Sequence, residues 1–202
     1  MRSTRPRSWA AIAWLTPMKT ERVDPVIAAT QQWLERAVIG LNLCPFAKAV
    51  HVKQQIRYAV STAQTPDDLL AELAAELSHL NAADPAQIDT TLLIAPQMFA
   101  DFIDFHFFLD EADVLLKRSG LEGVIQIASF HPKFEFTGSE TDAIANYSNR
   151  SPYPILHLLR EASIDRAVAA FPDAADIYER NIETLEKLGQ EGWQRLFKQS
   201  EP

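Results

Sequence analysis

Six residues, Asn149-Arg150-Ser151-Pro152-Tyr153-Pro154, run directly into the apolar segment Ile155-Leu-His-Leu-Leu-Arg-Glu161. A residue that precedes proline avoids the α region, and proline suits the first position of a helix. Tyr153 with Pro154 therefore reads as a cap and a helix start, with Ser151-Pro152 as a competing start. Either start directs unpaired backbone N–H groups and the positive end of a helix dipole at the Asn149-Arg150 turn. With a guanidinium alongside, those groups make an anion site for a carboxylate or a phosphate. The plainer alternative is that Asn149 and Arg150 only fasten a loop by hydrogen bonds to carbonyls.

On that expected helix His157, Arg160 and Glu161 stand at i, i+3 and i+4 and share one face. Such a stripe on a leucine-rich helix is commonly its solvated side. Its functional readings are His157 as a general acid/base beside the anion with Arg160 as a further ligand-binding residue, or His131, His157 and Glu161 as metal ligands. No local signature such as HExxH accompanies the metal version. His131 directly follows a predicted strand, at the C-terminal edge where ligands of open α/β sheets bind, and is a second candidate acid/base; otherwise it simply bonds a loop carbonyl. Cys44, in Gly40-Leu-Asn-Leu-Cys-Pro-Phe-Ala47, precedes Pro45 and can cap a short turn whose N–H groups favour a nucleophilic thiolate. Leu41, Leu43 and Phe46 around it equally describe a buried thiol. His51, His79 and His106 read as structural or solvated.

The elements that must position these residues follow from hydrophobic spacing. Asp24-Pro25 opens a helix that carries Val26, Ile27, Trp33, Leu34, Ala37 and Val38 on one stripe and stops at Gly40. Residues 51–60 alternate as a half-buried strand. Thr65 caps a helix from Pro66, with Asp67 and Asp68 in its first turn and Leu69, Leu70, Leu73, Leu77 and Leu80 buried. Residues 88–95 and 123–130 read as strands, and residues 101–119 as a long amphipathic helix between them. A strand-helix order with connections this long allows parallel strands joined by right-handed crossovers. The rest reads as helical: residues 154–161, 163–171 and 174–188, with Gly189 as a stop before a short tail at 193–197. Residues 131–153 have weak periodicity, and Phe134 and Phe136 within them argue for an ordered, functional loop. The expected fold is α/β or α+β, a small sheet of at least three strands with packed helices and a helical C-terminal third.

Composition narrows the function. The chain has 202 residues, 47% hydrophobic and 23% charged, which is globular and long enough for a sizeable core. Nineteen Lys and Arg against 27 Asp and Glu give −8, a field that repels polyphosphate, so nucleic acid is a poor partner. Cys44 is the only cysteine; it permits no intramolecular disulfide and no CxxC metal site, and a reducing, cytoplasmic location is expected. Nothing approaches the ~20 apolar residues of a membrane span. Residues 1–17 place Arg2, Arg5 and Arg7 ahead of a short apolar run without a small-x-small cleavage site. They read as a disordered extension or as lying before the native start at Met18, with residues 18–202 as a single globular domain.

The motifs GLNLCPFA (Gly40 to Ala47), IASFHPKFEF (Ile127 to Phe136), NRSPYPILHLLRE (Asn149 to Glu161) and RNIETLEKLG (Arg180 to Gly189) resemble the bacterial and plant family named domain of unknown function 1415. The resemblance spans residues 23–197. It carries no established activity, and implies only that the motifs belong to one unit in which Cys44, His131 and Arg150 can converge. Three functions follow from the residues: an enzyme acting on a small anionic metabolite with a histidine acid/base and Cys44 as nucleophile, a non-catalytic anion-binding module, or a metal-assisted hydrolase. The sequence identifies neither a cofactor nor an oligomeric state.

Overall fold

The computed structural model describes residues 24–170 and 176–198. The readings made for residues 1–17 lie outside them. Asp24 caps α1 (Pro25–Trp33) by accepting a hydrogen bond from the Val26 N–H at 2.7 Å, as its type and position predict. The helix then continues as a π-helical segment, Leu34–Ile39. Helix α2 (Ala47–Val52) and strand β1 (Ile56–Val60) follow, then α3 (Pro66–Ala82), β2 (Thr90–Ile94), α4 (Phe102–Arg118) and β3 (Ile125–Phe130). A 3₁₀ segment, Ile144–Asn149, precedes β4 (Ile155–Arg160), α5 (Glu161–Ala169) and α6 (Ile177–Phe197). Gly189, at φ 66°, kinks α6 where the sequence places a stop.

The sheet order is β1-β2-β4-β3. Strands β1 and β2 are parallel, joined by α3 as expected, but β4 lies between β2 and β3 and is antiparallel to both. The parallel arrangement that the strand-helix order allows therefore holds for β1 and β2 and not for β3 and β4. The strand read over 51–60 also begins later: His51 and Val52 end α2, and Gln54 takes φ 57° before β1 starts.

The largest correction concerns residues 154–161, which form the central strand β4 and not a helix. Leu156 and Leu158 pack into the core formed with α3 and α4, while Ile155 packs into a second core with α1, the π-helical segment and α6. A central strand covered on both faces is apolar at nearly every position, so periodicity alone cannot distinguish it from a buried helix. Two consequences follow. There is no helix N-terminus at Tyr153-Pro154, and His157, Arg160 and Glu161 do not share a helical face.

Residues 131–153 form an ordered loop organised by Asn146, which is 0% exposed. Its Oδ1 accepts from the Phe136 N–H (3.1 Å) and the Ser139 hydroxyl (2.8 Å), and its Nδ2 donates to the Glu140 and Thr141 carbonyls (3.0 and 3.4 Å). Phe134 packs on Phe102 and Phe136, and Phe136 meets Tyr178 edge-on. No helix among the described residues is long and apolar enough to cross a membrane.

Candidate functional site

The sheet separates the residues that sequence reasoning grouped. His131 lies on the α4 side, 1% exposed, with its ring stacked on Phe105 at 5.3 Å. Its Nδ1 accepts from the Lys133 N–H at 3.0 Å, so Nε2 carries the proton and donates to the Phe99 carbonyl at 2.8 Å. Both ring nitrogens are occupied by backbone, and burial keeps the imidazole neutral by lowering its pKa. His131 is therefore a fastening between the start of α4 and the loop, with no nitrogen left for an acid/base role.

Arg150 and Asn149 also spend their polar atoms on the loop. The Arg150 Nε donates to the Phe134 carbonyl (3.2 Å) and Nη2 to the Thr141 carbonyl (2.6 Å), and the guanidinium lies 4.4 Å from the Tyr147 ring centroid. Asn149 Nδ2 donates to the Ser129 carbonyl at 3.3 Å. The positive helix end on which the anion site depended is absent, and the carbonyl-fastening alternative describes these contacts. Arg150→Lys keeps the charge but loses the planar fork, so we expect thermal unfolding to show a loss of about 1–2 kcal/mol. A variant as stable as the wild type would mean that the fork carries no structural load.

His157, on the other face, lines a cavity of about 910 Å³. The floor is the sheet. Leu92, His157 and Ala128 stand side by side in register on β2, β4 and β3, with Thr90 and Leu159 in the neighbouring row. The small Ala128 leaves room over β3 beside the imidazole. One wall comes from Trp33, Leu34, Val38 and the Cys44–Ala47 turn, and the other from α5 through Ile164 and Ala167. Much of the floor belongs to the half of the sheet where β1 and β2 begin, away from the C-terminal edge that an all-parallel sheet would have favoured. The antiparallel insertion of β4 and the placement of α5 beyond its end leave the opening there.

The π-helical winding shapes the first wall. Gly40 N–H reaches the Glu35 carbonyl and Leu43 N–H the Val38 carbonyl, both at 2.9 Å and both five residues back. Gly40 has ordinary helical angles, but a Cβ there would collide with the Arg36 carbonyl oxygen, so space and not conformation demands glycine. Trp33, 3% exposed, has an Nε1–H with no hydrogen-bond partner among the described residues.

Cys44 joins this wall. The Ala47 N–H donates to the Cys44 carbonyl at 3.2 Å, and burial raises the thiol pKa, offset only in part by the nearby Phe46 and Ala47 backbone N–H groups. Cys44 and His157 thus border one cavity, whereas His131 and Arg150 do not line it. Burial lowers the His157 pKa to about 4, so the imidazole is neutral near pH 7.

Cations collect at the open end. Lys53 and Arg166 border the cavity and pair with no carboxylate among the described residues; Arg166 Nη2 donates to the Ser163 hydroxyl (2.9 Å), which donates to Asp89 (2.6 Å). Arg160 also borders it, but its Nη2 reaches the Leu80, Ala83 and Ile88 carbonyls at 2.5, 2.7 and 3.2 Å, where it neutralises the negative end of α3. Glu161 starts α5 and its N–H donates to the Val124 carbonyl. No group of three or more His, Cys, Asp or Glu side chains among the described residues could hold a metal ion, so His131, His157 and Glu161 do not form a ligand set.

Lys53 and Arg166 carried no periodic or motif signal, and Trp33 carried only that of an apolar helix stripe. Only the GLNLCPFA motif pointed toward this wall. A model of the family described as protein of unknown function (DUF1415) matches residues 25–195. The chain belongs to this family. The DUF1415 match takes in the sheet floor, both walls and the cationic end, so the whole cavity lies within the family unit. No curated protein and no solved structure matches the chain.

Proposed function

We propose that this chain binds a small anionic metabolite, a carboxylate or phosphate ester with an apolar body, in the cavity on the α1–α5 side of the sheet. The observation that carries this reading is the cavity itself: large, lined by Trp33, Phe46 and Phe130, and bordered by Lys53 and Arg166, which pair with no carboxylate among the described residues. Apolar walls with a few placed polar groups are the usual make-up of small-molecule sites. Binding is favoured over catalysis because an imidazole that titrates near 4 is a weak base at neutral pH, better suited to accept a hydrogen bond than to store a proton.

A thermal-shift screen with phosphate, sulfate and aryl carboxylates tests it. A ligand at a hundredfold its Kd adds about 2.7 kcal/mol, or roughly 5–10 °C in a protein of this size. Lys53 and Arg166 are exposed, so Lys53→Gln with Arg166→Gln should fold normally and lose that shift. A wild type indifferent to every anion, or a double variant with an undiminished response, overturns the proposal.

A second reading, thiol chemistry by Cys44, is favoured by the cavity that it shares with His157. The raised thiol pKa argues against a resting thiolate, and we expect iodoacetamide at pH 7 to label native Cys44 more slowly than a free thiol. Labelling faster than the free thiol would restore the nucleophile.

A further inference from the structure

We infer that His157 selects ligands whose buried end carries an O–H or N–H group, because its tautomer presents only a lone pair to the cavity; this rests on the binding reading above. The argument begins at Thr90, which is 4% exposed and whose hydroxyl oxygen lies 2.7 Å from two partners, the Leu158 carbonyl and His157 Nε2. A carbonyl oxygen can only accept, so the single hydroxyl proton goes to Leu158. The hydroxyl oxygen must then accept from the imidazole, which places the His157 proton on Nε2.

Nδ1 is left as an unprotonated nitrogen. It has no hydrogen-bond partner among the described residues and is not among the sealed, unpartnered polar atoms, so it remains open to what enters the cavity. The ring is held in place by its bond to Thr90 and by Phe130, whose centroid is 6.1 Å away. Ala128 and Leu92 flank it in register and offer no side-chain donor. A bound molecule that turns a carbonyl or ether oxygen toward Nδ1 sets two lone pairs against each other, whereas one with an O–H or N–H there completes the bond. The Lys53–Arg166 end would hold the anion, and His157 would read the other end. The ligand class is accordingly an acid with an apolar middle and a hydroxyl or N–H at its far end.

Two measurements test this separately from the binding reading. Long-range ¹H–¹⁵N correlation spectra of the ligand-free protein report the tautomer: Nε2 should appear protonated and Nδ1 in the pyridine-like range. A protonated Nδ1 overturns the inference whatever binds. Matched probes then read selectivity by calorimetry: 4-hydroxyphenylpropanoate against 4-methoxyphenylpropanoate, and indole-3-propanoate against its N-methyl form. We expect the O–H and N–H members to bind at least about tenfold more tightly, and His157→Phe to reduce the preference to less than about threefold. Thr90→Val frees the tautomer and should narrow the preference while leaving the cationic end intact. Equal binding within pairs overturns the selectivity and leaves the binding reading standing; no binding by any probe or simple anion overturns both.

Discussion

Asn146→Ala is expected to lower the melting temperature by roughly 6–20 °C. The side chain is fully buried and satisfies the Phe136 N–H, the Ser139 hydroxyl and the Glu140 and Thr141 carbonyls together. Truncation strands the Phe136 N–H and the Glu140 carbonyl inside a loop packed by Phe134 and Phe136, whereas the Thr141 carbonyl keeps Arg150 Nη2 and the Ser139 hydroxyl keeps the Phe136 carbonyl. Each stranded buried group costs about 1–3 kcal/mol, and partial relaxation brings the sum to about 3–5 kcal/mol. In a domain of this size that is roughly 6–20 °C. Asn146→Asp should be nearly as harmful, since it sets a carboxylate oxygen against two carbonyls. Differential scanning calorimetry decides it. A loss below about 1 kcal/mol for both variants would mean that the β3–β4 connection does not depend on this residue.

Acid should weaken the fold through His157 beginning above the range in which carboxylates protonate. Its pKa falls from 6.5 to about 4 because burial disfavours the imidazolium, with no charged neighbour contributing. As pH drops below 6.5 the unfolded chain takes up this proton and the folded chain does not. Stability is therefore full above 6.5, declines between 6.5 and about 4, and stops declining on this account below 4. The whole step is about 3 kcal/mol. His131, whose pKa is also lowered, adds in the same direction. Glu76, held low by its 2.7 Å pair with Arg57, loses its contribution at more acidic pH. His157→Gln retains a donor for Thr90 and cannot titrate. Urea unfolding at pH 7 and pH 4.5 should show a smaller loss for this variant than for wild type by about 2–3 kcal/mol. Equal losses would place His157 in a more solvated site than the cavity floor.

Local chemistry was decisive wherever a residue acts on its own few neighbours. Asp24, Thr65 and Asp101 cap helices, with side-chain oxygens on N–H groups at 2.7, 3.2 and 3.1 Å, because a capping bond spans only two or three residues and needs no distant partner. The buried leucines of α3, the α/β class and the family followed from spacing and motifs in the same way.

Tertiary structure alone decided the rest. Ile155-Leu-His-Leu-Leu-Arg became a strand because β2 and β3 both offered it hydrogen bonds and two cores covered its faces, and none of those partners is local. That one exchange reversed the site. It removed the helix end beside Arg150, put His157 and His131 on opposite faces of the sheet, and turned Arg160 toward the end of α3. The cavity is likewise a tertiary product: Trp33, Cys44, His157 and Arg166 are separated by up to 133 positions. What they share is the gap left where helices packed on one sheet face do not meet, and spacing along a chain cannot encode such a gap.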